Sequence, residues 1–209
     1  GVTAVRNTAE ACAEVGIEYL TLYAFSSENW NRPDHEVNAL MDLLIQTIHN
    51  EMSTLQDNNI SLSAIGNLNQ LPDACRHSLH KAINETHANT GLTLNLALSY
   101  SGRWDITSAT QQIAKAVKGG EINPDQISDD LIKQYLTTAN MPDPALLIRT
   151  SGETRISNFL LWELAYTELY FFRKNWPEFE KSDLYQAIID YQTRERRFGQ
   201  ISEQISEAR

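Results

Sequence analysis

Two hydrophobic rhythms alternate along the chain. Short dense apolar runs are separated by longer stretches in which apolar residues return every three or four positions. The first rhythm is that of buried strands, the second that of helices with one covered face. Residues 2–15 are alanine-rich and predict a helix that Gly16 stops. Residues 17–25 (IEYLTLYAF) predict a buried strand. Asp34 is expected to cap the next helix, in which Leu40, Leu43, Leu44, Ile48, Met52 and Leu55 recur at helical spacing and form a broad apolar face. A second strand is expected over 60–65 (ISLSAI), ending at Gly66, then a helix over 72–88 and a third strand over 92–98 (LTLNLAL). Helices follow over 103–117, stopped by Gly119 and Gly120, and over 128–136. A compact fourth strand over 145–149 (ALLIR), a fifth over 167–171 and a last helix over 182–197 complete the pattern. This alternation predicts one α/β domain over 1–209, with a mostly parallel central sheet flanked by helices. Ligands of such sheets bind beyond the carboxyl ends of the strands, so polar segments that follow strands are where chemistry is expected.

Composition narrows the classes. The 27 acidic and 17 basic side chains leave a net charge of -10, which argues against a general nucleic-acid binder that works by counterion release. An anionic substrate must then be gripped by a local cluster. Of the 17 basic residues 11 are Arg, the side chain suited to forked contacts with phosphate. Cys12 and Cys75 are too few for a disulfide framework, no run approaches the roughly 18 apolar residues of a membrane helix, and residues 1–30 show no signal-peptide pattern. A cytoplasmic setting is the expectation. Cys75, His77 and His80 do not share a helix face, which rejects them as a metal site.

Three polar segments remain. Residues 24–33 (AFSSENWNRP) carry more polar groups than a strand-to-helix turn needs; they read either as a ligand-binding connector or as a capped turn plugged by Trp30. Residues 148–162 (IRTSGETRISNFLLW) place Arg149 and Arg155 around a Thr-Ser-Gly turn, with Ser157 offering a hydroxyl or capping a following helix. Two guanidiniums and exposed N–H groups suit a diphosphate; the competing reading pairs Arg149 with Glu153. Residues 194–199 (RERRFG) close the last helix, where cations complement its dipole. Glu168 is a candidate metal carboxylate or a structural one.

Together with residues 99–106 (SYSGRWDI), these segments resemble, in order and over about residues 1–200, the cis-prenyltransferases, most closely the bacterial undecaprenyl diphosphate synthase branch. The resemblance implies a six-stranded, mostly parallel sheet, a homodimer, and Mg2+-dependent condensation of isopentenyl diphosphate onto an allylic primer such as farnesyl diphosphate. The product would be a long-chain polyprenyl diphosphate, undecaprenyl diphosphate, for the cell-wall lipid carrier, passed to the membrane at its inner face. It further implies that Arg149, Arg155 and Ser157 hold the diphosphate of isopentenyl diphosphate. Ser26, Asn29, Trp30 and Arg32 would form a mobile catalytic loop, with Glu36 as the hinge carboxylate and Glu168 at the metal. Arg197 and Gly199 would reach toward the partner subunit, and Ala24 and Leu92 would line a product tunnel. The family's opening strand, ending in Asp-Gly-Asn-Gly-Arg-Trp-Ala, has no match, so the resemblance implies a chain read from after it, with five of six strands. Thr154 and Gln200 depart from residues common in the family, His and Gly. Two rivals are a non-catalytic subunit of the same fold and a phosphate-ester-binding α/β protein. The latter is opposed by the absence of a GxGxxG, a Walker loop or a nucleophile elbow.

Overall fold

The computed structural model describes residues 1–195. Along them run α1 (Val2–Glu14), β1 (Tyr19–Ser26), α2 (Asp34–Asp57), β2 (Ser61–Ile65), α3 (Asp73–Thr86), β3 (Thr93–Tyr100), α4 (Gly102–Lys118), α5 (Asp129–Tyr135), β4 (Leu146–Arg149), β5 (Glu168–Phe171) and α6 (Lys181–Gln192). Every element expected from periodicity has a counterpart. Two ends differ. Pro33 rather than Asp34 caps α2, and Asp34 and Glu36 sit in its first turn, where the dipole favours a carboxylate. α6 stops at Gln192, short of residue 197, and Arg194 beyond it reaches sideways to Glu168 and Asp190 instead of lying over the helix end.

All strand pairs are parallel. β3 lies between β1 and β2, with Leu96 opposite Leu22 on one side and Ala64 on the other. β4 pairs with β5, Leu147 opposite Leu169. The parallel sheet flanked by helices is thus as expected, but its strands divide into sheets of three and two rather than forming one. The division falls at a cavity: β1 and β4, each an edge strand among the described residues, both line it.

β3 is covered on both faces and is buried along nearly its whole length. Leu94, Leu96 and Leu98 point into the larger core, where they meet Met41 and Ile48 of α2, Leu79 of α3, Cys12 of α1 and Leu184 of α6. Each such leucine contributes roughly 1.5–3 kcal/mol by leaving water. Ala97 and Tyr100 turn to a second, smaller core with Phe159 and Leu160, where Tyr23 stacks on Phe159 at 4.5 Å.

Candidate active site

β1 ends at Ser26, and residues Ser27–Asn31 wind into one 3-10 turn. The Ser26 N–H donates to Asn29 Oδ1 at 2.9 Å, which folds that amide back over the strand end. Trp30 turns inward: its Nε1–H donates to Ser99 Oγ at 2.9 Å and its ring meets Phe25 edge-on at 4.9 Å. Ser99 itself donates to Gln70 Oε1 at 2.8 Å. The plugged-turn reading holds for Trp30. Trp30 is a packed anchor, while Arg32 and Glu36, on either side of Pro33, stand exposed.

Arg149 is the last residue of β4 and lines the cavity. Its Nε is buried without a hydrogen-bond partner among the described residues. A buried charged donor left unpaired is costly, and such groups call for an explanation. The following turn is less open than the sequence suggests, because the N–H groups of Ser151 and Gly152 are spent on the carbonyls of Lys174 and Phe172. Gly152, at φ +69, supplies the left-handed backbone the turn needs. Arg155 is exposed and pairs with Glu153, so the pairing expected for Arg149 under the competing reading falls to Arg155 instead. Ser157 is half-buried at φ +50 and caps no helix: only a 3-10 turn, Glu163–Tyr166, follows. Asn158 beside it accepts from the N–H groups of Gly102 and Arg103 and donates to Glu28.

The cavity encloses about 1190 Å³. Leu20, Leu22 and Ala24 of β1 and Leu40, Leu44 and Ile48 of α2 line it, and Arg149 and Thr150 bring it polar groups. Leu92 is buried to 2% exposure in the core just before β3; the cavity is lined instead by Leu94 and Leu96.

Sequence reading missed two buried carboxyls. Glu163 lines the cavity at 4% exposure; Thr138 donates to its Oε1, its Oε2 has no partner among the described residues, and burial pushes its carboxyl up. Asp105 accepts from the Thr137 N–H at 3.0 Å and hydroxyl at 2.9 Å, and burial pushes it up as well. Burial also raises the Tyr23 phenol, to about 12. One signal was available for Asp105: it shares the stripe of α4 with Ala109, Ile113 and Ala116, an acid on an apolar face.

Glu168 opens β5 and is ion-paired with Arg194 at 2.9 Å. Among the described residues no three His, Cys, Asp or Glu side chains gather as a metal site. Magnesium asks for octahedral oxygen ligands, commonly one or two carboxylates with substrate phosphates. A single carboxylate already engaged by a guanidinium does not fit that set. Arg197 and Gly199 lie outside the described residues.

A parallel α/β layer with an arginine at a strand end whose Nε is unpaired among the described residues, opening on a large apolar cavity, defines a site for an anion with a greasy tail. Comparison with known proteins makes this specific. A family model described as putative undecaprenyl diphosphate synthase matches residues 1–199. The isoprenyl transferase of Porphyromonas gingivalis is 54% identical over 206 residues, covering 99% of this chain and 81% of that protein. A Vibrio cholerae protein named ditrans,polycis-undecaprenyl-diphosphate synthase ((2E,6E)-farnesyl-diphosphate specific) is 47% identical over 205 residues, 98% of this chain and 82% of its own. Among solved structures, lavandulyl diphosphate synthase from Lavandula x intermedia, in complex with dimethylallyl diphosphate, superposes with a TM-score of 0.91 at 36% identity, covering 95% of this chain and 86% of that one. A probable undecaprenyl diphosphate synthase from Campylobacter jejuni gives 0.82 at 32% identity, over 95% and 91%. The chain belongs to the undecaprenyl diphosphate synthase family of prenyltransferases.

Proposed function

We propose that this prenyltransferase condenses isopentenyl diphosphate onto farnesyl diphosphate and repeats the addition, giving undecaprenyl diphosphate for the cell-wall lipid carrier. The observation that carries this reading is the joining of half-buried Arg149, whose Nε is buried without a partner among the described residues, to a large apolar cavity. A prenyl diphosphate has a head and a tail that need those two environments. The Arg149 fork grips the diphosphate of isopentenyl diphosphate, helped by Ser157 and by Arg155 once it leaves Glu153. Ser26 and Asn29, at the carboxyl end of β1, orient the homoallylic substrate and assist removal of its proton. Trp30 anchors that loop, Arg32 meets the leaving diphosphate, and Glu36 marks the hinge.

In each cycle the allylic carbon–oxygen bond breaks, the double bond of isopentenyl diphosphate forms the new carbon–carbon bond, and a proton departs. The apolar cavity keeps water from the carbocation-like centre and receives the growing chain, with Ala24 on its wall. Magnesium dependence is part of the proposal, although the described residues offer the ion no site of their own.

A homodimer, completed by Arg197 and Gly199, is proposed on the exposed apolar side chains Leu169 and Phe171 of β5 and Ile189 of α6. No helix among the described residues is long and apolar enough to cross a membrane, and the lipid product is proposed to leave from a protein resting on the inner membrane face. The test is incubation with labelled isopentenyl diphosphate, farnesyl diphosphate and Mg2+, followed by butanol extraction. Long-chain product, abolished by EDTA, is expected. No incorporation by protein shown to be folded would overturn the reading.

A further inference from the structure

Asn158 joins three segments through one residue. Its carbonyl accepts from the Gly102 N–H at 2.7 Å and its Oδ1 from the Arg103 N–H at 3.0 Å, so it holds the first turn of α4. Its Nδ2 donates to Glu28 Oε1 at 2.8 Å, in the turn after β1. The backbone around it is strained: Ser157, Asn158 and Leu160 all have left-handed φ, at +50, +61 and +43. Non-glycine residues adopt that region only where neighbours hold them there. α4 supplies one hold, pressing so close that a Cβ on Gly102 would stand 2.6 Å from Leu161 Cγ. Glu28 supplies the other. It belongs to the same 3-10 turn as Asn29 and Trp30, and Trp30 is itself pinned to Ser99.

We propose that Glu28 and Asn158 are positioning residues whose hydrogen bond latches the turn after β1 onto the loop carrying Ser157, fixing the two diphosphate-handling loops in one register. This rests on the proposed function for the statement that both loops meet substrate. The latch itself rests on the geometry alone. The bond favours the ionised form of Glu28, and the Glu28 carboxyl is held below its ordinary range, first by Asn158. The pair also has a polarity that can be reversed. Asp at position 158 keeps an oxygen for the Arg103 N–H, and Gln at position 28 then supplies the donor.

The experiment compares the wild type, Asn158→Asp, and the double variant Asn158→Asp with Glu28→Gln, all as the full chain. Hydrogen–deuterium exchange over 26–32 is followed without substrate, alongside KM and kcat for isopentenyl diphosphate. In the single variant two carboxylates face each other, and both exchange over 26–32 and KM are expected to rise about tenfold, with a smaller change in kcat. The swap is expected to return both to within about threefold of wild type, which loss of a merely structural cap would not do. Unchanged exchange in the single variant, a swap as open as the single variant, or a KM that does not follow exchange would each overturn the proposal. If exchange follows the expected order while the wild type makes no polyprenyl product, the latch is upheld and the proposed activity is what fails.

Discussion

Arg149 shows how much one side chain can say. An arginine at a strand end could as well have paired with the nearby Glu153, but Arg155 takes that carboxylate, and Arg149 lines the cavity with a buried nitrogen unpaired among the described residues. If it binds diphosphate, Arg149→Ala removes a charge-assisted hydrogen bond of about 1.5–3 kcal/mol, so KM for isopentenyl diphosphate should rise roughly 10- to 150-fold. Steady-state kinetics with an unchanged KM would take Arg149 out of the site. Glu163 carries a different prediction. Its carboxyl is held above the ordinary value of 4.5 by burial, so its favourable contribution to folding is complete below that pH and is lost as pH climbs through the raised value. Glu163→Gln does not titrate. The melting temperature of this variant relative to wild type should therefore shift in its favour between pH 5 and 7.5, each kcal/mol being worth roughly 2–4 °C in a chain of this size. Calorimetry giving a difference that stays flat with pH would mean that Glu163 titrates as an exposed acid does. The sequence showed that positions 149–157 were candidates, because residue types and spacing are local properties. Which carboxylate each guanidinium chooses depends on the fold of the turn, and that was not legible.

At the scale of elements, helices and strands were legible wherever burial imposes a period, as in the recurring leucines of α2 or the dense apolar run of β3. Ends were less so. α6 stops at Gln192, and Arg194 beyond it bonds Glu168 of β5 as well as Asp190 of α6 itself, an attraction that no helical periodicity reports. The turn after β1 and the strained run at 157–160 also escaped, since their conformations are held by tertiary hydrogen bonds rather than by propensity. Gly102 ties these elements together. It lets α4 start against the backbone of Leu161, whose nitrogen would lie 2.9 Å from an added Cβ. Gly102→Ala should gain helix propensity yet lose packing, with a net destabilisation of about 1–3 kcal/mol from the forced separation. A melting temperature at or above that of wild type would show that the contact yields freely, and with it that α4 does not hold the Asn158 loop.

For the whole molecule, the sequence announced an α/β layer but not where it would divide. Strand order needs partners far apart in the chain, and the edges of β1 and β4 are separated by a cavity rather than joined by hydrogen bonds. The same is true of the surface proposed for another copy, which looks in sequence like any other strand. Leu169 and Phe171 lie two residues apart on β5 and so point to the same side, at 37% and 40% exposure, and Tyr166 just before them is 71% exposed. The Arg194 guanidinium bonds both the Leu169 carbonyl and Asp190, which brings the end of α6, with exposed Ile189, toward this strand. With ten more negative than positive charges, like molecules repel in general, so association needs a local apolar patch to offset that repulsion. A charge placed there in each of two facing copies would be desolvated without a partner. Phe171→Asp is therefore expected to shift the protein from dimer to monomer in sedimentation velocity at micromolar concentration, while circular dichroism stays that of the wild type. A wild type that sediments as a monomer, or a folded variant that remains a dimer, would place the proposed interface elsewhere or remove it.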